Sequence, residues 1–193
     1  MTELIAAEVT LLVTDALDTL GVPYLIGGSF ASITHGIMRA TLDADLVADL
    51  RPEQVSTFVQ MLQQEFYVDA LSILDAIQER GSFNLIHLET MFKVDVFLPK
   101  WRPFDNAQFE RRTIEVITTE PERTAWVASA EDTILTKLEW FRLGNEVSER
   151  QWRDILGVLK TQGERLDLVY LREWASQLKV SDLLERALLE TNL

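Results

Sequence analysis

The sequence contains no cysteine, so this chain of 193 residues has no disulfide bond and no thiolate metal site. It also lacks an apolar run of roughly 18 residues, the length that a membrane-spanning helix requires. The apolar N-terminal stretch carries Glu3 and Glu8 and has no basic region of the kind that begins a signal peptide. We therefore expect a cytoplasmic protein with no membrane partner.

Basic residues are scarce: 18 Lys and Arg stand against 31 Asp and Glu, which gives a net charge of −13. Proteins that grip DNA or RNA usually present a basic face. The charge disfavours a tRNA substrate without excluding it, because a local cluster such as Arg111-Arg112 is able to dock one end. A basic protein or a cationic small molecule is an equally simple partner.

The composition is that of a globular protein, with 47% hydrophobic and 25% charged residues. Strand and helix patterns alternate over the first two thirds of the chain, which predicts an α/β (α+β) fold with a mixed sheet and flanking helices. From Ser129 onward only helical patterns occur. We expect an α/β core at 1–128 and a C-terminal helical lobe at 129–193.

Apolar periodicity and capping residues give the expected element positions. Helices are predicted at 3–20, 29–35, from Pro52 onward, from 130 to Gly144, and at 148–161, 167–177 and 181–191. Strands are predicted at 24–26, 43–47, 83–88, 92–98, 113–117 and 125–128. Ser29 is expected to cap the first turn of its short helix.

The most informative stretch is Gly27-Gly28-Ser29, followed by Asp43 and Asp45. A strand that opens through Gly-Gly-Ser into a helix exposes backbone N–H groups to an anion. Alternation along a strand places Asp43 and Asp45 on the same face, where two carboxylates repel unless a cation lies between them. Mg²⁺ prefers oxygen ligands and often shares them with substrate phosphates. The pattern therefore suggests chemistry on a nucleotide.

Asp95 is the one acid in the alternating segment 92–98. An acid in a half-buried strand is costly unless it has a partner. The economical arrangement places it beside Asp43 and Asp45, as a three-carboxylate cluster that holds one or two metal ions. Two such ions, about 3.5–4 Å apart, stabilise the attacking and leaving oxygens in nucleotidyl transfer.

These residues resemble the polymerase-β-type nucleotidyltransferase superfamily. Within it, the chain is most similar to bacterial AbiEii-type, toxin-like nucleotidyltransferases and related uncharacterised proteins over about Tyr24 to Leu159. The stretches that carry the resemblance are Gly27-Gly28-Ser29, His35-Gly36, Arg39-Ala40-Thr41, Asp43-Ala44-Asp45, Asp95 and the segment 129–138 with Lys137.

The resemblance implies site residues. Asp43, Asp45 and Asp95 would be the catalytic carboxylates and the ligands of Mg²⁺ or Mn²⁺, with Asp95 as the third ligand or as the general base. Nucleotide-binding roles fall on Gly27, Gly28, Ser29, Arg39, Lys137, Arg142 and Asp154.

Each feature also has a simpler interpretation. Asp-x-Asp alone is often a solvated strand end, and Gly-Gly is often only a turn. Arg39 either binds phosphate or pairs with the acids, and Lys137 is otherwise a lysine whose stem is buried and whose head is wet. We favour a structural role for His35 over a catalytic one.

The function expected from these residues and from the resemblance is transfer of a nucleoside monophosphate from an NTP such as ATP to an acceptor hydroxyl. The acceptor is a tRNA end or a protein in a toxin–antitoxin setting with a cognate antitoxin, or else a small molecule such as an aminoglycoside. A different class of answer is a catalytically inactive module that binds nucleotide or protein. Three retained carboxylates argue against it.

Overall fold

A mixed seven-stranded sheet forms the centre of the computed structural model, which describes residues 2–35 and 43–193. The strands are β1 (Tyr24–Ile26), β2 (Asp43–Ala48), β3 (Phe66–Tyr67), β4 (Ser82–His87), β5 (Lys93–Phe97), β6 (Thr113–Thr119) and β7 (Glu122–Val127). Their order across the sheet is β3-β4-β5-β2-β1-β7-β6. β2 runs parallel to β5 and β1 parallel to β7, whereas the remaining neighbours are antiparallel.

Helices flank this sheet and make up the C-terminal third. They are α1 (Thr2–Thr19), α2 (Gly28–Thr34), α3 (Pro52–Leu62), α4 (Ala70–Glu79), α5 (Pro103–Arg111), α6 (Ala130–Leu143), α7 (Glu149–Gln162), α8 (Leu168–Gln177) and α9 (Ser181–Thr191). A single 3₁₀ turn, Gly163–Arg165, follows α7. This confirms the predicted α/β class with a mixed sheet and flanking helices.

The two faces of the sheet differ in burial. Along β2, Ala44, Leu46 and Ala48 are fully buried, whereas Asp43 and Asp45 are half-buried. The buried face packs in one hydrophobic cluster with side chains of α1, α3 and α4. Alternation therefore leaves the polar residues of β2 on the opposite face, which borders a cavity.

A second hydrophobic cluster unites α6 to α9 with Phe104 of α5. The division into a core at 1–128 and a helical lobe at 129–193 stays a prediction. Among the described residues, no helix has both the length and the apolar character to cross a membrane.

Sequence patterns missed β3, α4 and α5. β3 has only two residues, too few for a periodicity. The starts of the two helices do carry local signals, since Asp69 caps α4 by accepting from the backbone N–H groups of Leu71 and Ser72, and Pro103 opens α5. The predicted cap at Ser29 is wrong: α2 begins one residue earlier, with Gly27 in the cap position and no side-chain cap.

Candidate active site

The Gly-Gly turn and the Asp-x-Asp strand are in direct contact. The Gly27 N–H donates to the backbone oxygen of Asp45 at 2.8 Å, next to the end of β1. Gly28 has a φ of +55°, and a Cβ atom on it would lie 1.8 Å from Oδ2 of Asp45. Only glycine fits here, because an L side chain would be strained by the backbone and would collide with the carboxylate. The Asp45 carboxylate therefore lies against the turn that begins α2.

The three predicted carboxylates lie on neighbouring strands. Asp45 is opposite Asp95 in the parallel register of β2 and β5, and Asp43 is opposite Lys93. Burial raises the pKa of Asp45, and the charges of Asp43 and Asp95 raise it further, whereas Lys137 and Lys93 oppose the shift. The site thus concentrates negative charge on half-buried side chains, which favours a bound cation.

Lys93 compensates part of this negative charge through an ion pair, since its Nζ lies 2.5 Å from Oδ2 of Asp95. This ion pair raises the pKa of Lys93. Within residues 2–35 and 43–193, no group of three His, Asp or Glu side chains is arranged to hold a metal ion. The three-carboxylate metal site stays a prediction. The oxygen donors of Asp43 and Asp45 do fit Mg²⁺, which commonly takes one or two carboxylates and completes its shell with water and phosphate.

Facing the strands, helices α6 and α7 supply a second charged pair. Lys137 Nζ donates to Oδ2 of Asp154 at 2.9 Å, and both side chains are at least nine-tenths buried. The alternative of a wet lysine head is therefore wrong for Lys137. On α7, Arg150 Nη2 donates to Oγ of Ser29 at 3.3 Å and so joins the helical wall to the turn.

A cavity of about 740 Å³ separates the sheet from these helices. Seven of the predicted site residues line it: Gly27, Gly28, Ser29, Asp43, Asp45, Lys137 and Asp154. Asp95 lies beside Asp45 but is not part of this lining. Arg39 falls outside the described residues.

Arg142 is the predicted residue that the fold places elsewhere. It pairs with Glu146 and Asp182 on the exposed side of α6. Arg142 is not among the described residues that line the cavity, and its guanidinium is held by these two acids. The nucleotide-binding role predicted for it is therefore not supported by its position.

Helical spacing from Lys137 would have identified residues that the sequence analysis missed. Thr133 and Trp140 lie one turn before and one turn after Lys137, and both line the cavity. Among the described residues, the buried hydroxyl of Thr133 has no hydrogen-bond partner. Arg150 carried no such signal, because it reaches the site only through the packing of α7 near α2.

His35 has a structural contact. Its buried Nε2 lies 2.7 Å from the backbone oxygen of Ala128, which requires the tautomer that donates from this nitrogen. The bond ties the end of α2 to the chain just before α6, in agreement with the structural role favoured from the sequence.

No family model matches the chain, and no curated protein matches its sequence. Solved structures do match the fold. The antibiotic-resistance factor ANT(2'')-Ia has 15% identity and a TM-score of 0.59, over 98% of this chain and 97% of its own. A nucleotidyltransferase-like protein from Paracoccidioides brasiliensis has 18% identity and a TM-score of 0.55, over 93% and 92%. At these identities the likeness shows the fold, a nucleotidyltransferase-like sheet with flanking helices.

Proposed function

We propose that the protein is a nucleotidyltransferase that transfers a nucleoside monophosphate from an NTP to an acceptor hydroxyl. One observation carries the proposal: Asp43 and Asp45 border a cavity in which Asp45 lies against the Gly28 turn. Like-charged carboxylates that are partly buried side by side are costly for folding alone, and such perturbed groups cluster at functional sites. The fold likeness to nucleotidyltransferase-like structures supports the same function.

The turn and the helical wall fit a triphosphate. Gly28 and Ser29, at the start of α2, line the cavity beside Asp45. Lys137 and Arg150 bring positive charge from the opposite wall. A triphosphate bound here would lie between these cations and the Gly-Gly-Ser turn, and its α-phosphorus would be close to the carboxylates.

In the proposed reaction, the acceptor oxygen attacks the α-phosphorus and forms a new O–P bond. The bond from the α-phosphorus to the bridging oxygen breaks, and pyrophosphate leaves. The acceptor proton passes to a carboxylate, a role that we assign to Asp95. Asp43 and Asp45 would hold Mg²⁺ or Mn²⁺, and the bound metal would neutralise charge on the triphosphate.

The AbiEii-like resemblance favours a toxin that acts in the cytoplasm, pairs with an antitoxin and modifies a tRNA end or a protein. A second candidate is modification of a cationic antibiotic. The net charge of −13 and the fold likeness to an antibiotic-resistance factor favour this candidate. An inactive scaffold remains the alternative from another class.

Calorimetric titration of the four NTPs, with and without Mg²⁺, tests the proposal. We expect Mg²⁺-dependent binding by the wild type and at least about a tenfold loss of affinity in Asp45→Asn, since a charge-assisted contact contributes about 1.5–3 kcal/mol. Asp75→Asn, which removes an exposed acid on α4, is the matched control. Equal binding by wild type and Asp45→Asn would overturn the site assignment, and no binding of any NTP to the wild type would favour the inactive scaffold.

A further inference from the structure

The cavity changes from charged to apolar along each of its walls. On β2 the order is Asp43, Asp45, Val47, and on α6 it is Lys137, Trp140, Leu143. Successive same-face positions are about 6.6 Å apart on a strand and about 5 Å apart on a helix. One end of the cavity therefore suits phosphate, and the other end suits an apolar group.

Phe97, Trp140 and Leu143 form this apolar end, which we term the apolar shelf. The rings of Phe97 and Trp140 are tilted by 57° with centroids 6.3 Å apart, so they pack against each other. Trp140 is nevertheless 50% exposed and Leu143 68% exposed, and both line the cavity. Large apolar side chains held open at a cavity wall indicate a ligand that covers them.

The net charge of the whole protein does not extend into the cavity. Five acidic and five basic side chains line it, whereas the protein as a whole carries −13. Three acids of the lining have a basic partner within it. Asp105 and Glu139 pair with Arg102, and Asp154 pairs with Lys137. Away from Asp43 and Asp45, the described part of the lining thus offers no extended acidic surface of the kind that a polycation requires.

The apolar shelf lies close to Asp95, the residue that we assign to the acceptor hydroxyl. Phe97 lies two residues beyond Asp95 on the same face of β5, about 6.6 Å along the strand. An acceptor whose hydroxyl lies near Asp95, just outside the lining, is therefore within reach of Phe97 and Trp140. Arg80 and Lys100 add positive charge to the same lining.

We propose that the apolar shelf binds the acceptor, and that this acceptor is a small hydroxyl compound with an apolar ring, neutral or anionic in charge. The assignment rests on the proposed nucleotidyltransferase function. It argues against a polycationic drug as the acceptor.

The test uses 1-anilinonaphthalene-8-sulfonate, an aromatic anion, as a probe in fluorescence titrations of the full chain, with spermine as a polycationic competitor. We expect one site that spermine does not empty and that Trp140→Ala weakens at least about tenfold, since an aromatic stacking contact contributes about 1–3 kcal/mol. Trp140→Phe should retain most of the affinity. Trp101→Ala, which removes another exposed tryptophan that does not line the cavity, should leave it unchanged.

Two further titrations distinguish a failure of the acceptor assignment from a failure of the proposed nucleotide site. Asp45→Asn should keep the probe site and lose Mg²⁺-dependent NTP binding, whereas Trp140→Ala should bind NTP as the wild type does. A loss of NTP affinity in Trp140→Ala would assign the shelf to the nucleobase and overturn the acceptor assignment. A probe signal that does not depend on Trp140, or displacement by spermine, would also overturn it, and either result would leave the nucleotide site standing.

Discussion

Two charged pairs border the same cavity, and they differ in the charges that they combine. Asp43 and Asp45 on β2 carry like charges, and the pKa of Asp45 is raised by burial and by its acidic neighbours. Lys137 and Asp154, on α6 and α7, are opposite charges joined at 2.9 Å. The helical pair satisfies itself within the protein, whereas the strand pair gains most from a cation that comes with the substrate.

The two pairs differ in whether they stabilise the fold or serve a function. A paired buried charge orders the protein around it, and its removal leaves an ion in a poorly solvating environment. A repelling pair opposes folding, and its retention implies a benefit at another step. The two pairs also interact electrostatically, since the charge of Lys137 lowers the pKa of Asp45.

Removal of one acid from each pair should give the largest changes in the free energy of unfolding. The two changes should be opposite in sign. Asp154→Ala should lower the free energy of unfolding by about 3–5 kcal/mol, because Lys137 loses the carboxylate that it binds. Asp45→Asn should raise the free energy of unfolding in metal-free buffer, because it removes one buried charge and its repulsion by Asp43 and Asp95. Urea denaturation of both variants measures the difference.

The double variant Lys137→Met/Asp154→Leu controls this prediction. It replaces the ion pair with apolar side chains and should recover most of the stability lost in Asp154→Ala. Equal destabilisation of Asp154→Ala and of the double variant would show that packing, and not an uncompensated charge, sets the stability at this site.

Gly28→Ala should have the next largest effect. It places a methyl group on the Asp45 carboxylate in a left-handed backbone conformation, and we expect a loss of about 2–4 kcal/mol together with loss of NTP binding. Gly21→Ala is the matched control, since Gly21 has a φ of +64° but no atom within 4 Å of the added Cβ. The control should lose only about 1–2 kcal/mol and should bind NTP normally. Thermal denaturation and calorimetry of the two variants check both parts, and equal losses would contradict the close approach of Asp45.

Asp132 offers a third, smaller test, because this fully buried acid is held mainly by neutral donors. Tyr170 Oη donates to it at 2.7 Å and Ser129 Oγ at 2.9 Å. Burial nevertheless outweighs these bonds and raises the pKa of Asp132 above its usual 3.8. The folded state therefore holds this proton more tightly than the unfolded chain does, by about 1.4 kcal/mol for each unit of the rise.

The resulting stability is fully present below the usual pKa and is lost as the pH rises through the raised one. The free energy of unfolding of the wild type, relative to Asp132→Asn, should therefore decrease from acid toward neutral pH. Urea denaturation of both proteins across this range measures it. A difference that increases with pH would show that the hydrogen bonds outweigh burial.

The sequence by itself determined the sheet wall of the site. Gly28 and the Asp43-x-Asp45 strand are close in the chain, and the two-residue period of a strand fixes which side chains share a face. The same rule placed Asp95 on a strand, although its position directly opposite Asp45 depends on the pairing of β5 with β2.

Only the tertiary structure decided the helical wall. Arg150 reaches Ser29 across 121 residues of sequence, and Asp154 reaches Lys137 through the packing of two helices, which periodicity along one helix does not describe. Arg142 is the converse case: it is close to Lys137 in sequence, but it pairs with Asp182 and does not line the cavity. Local periodicity fixes which face of an element a residue occupies, whereas long-range packing decides what that face meets.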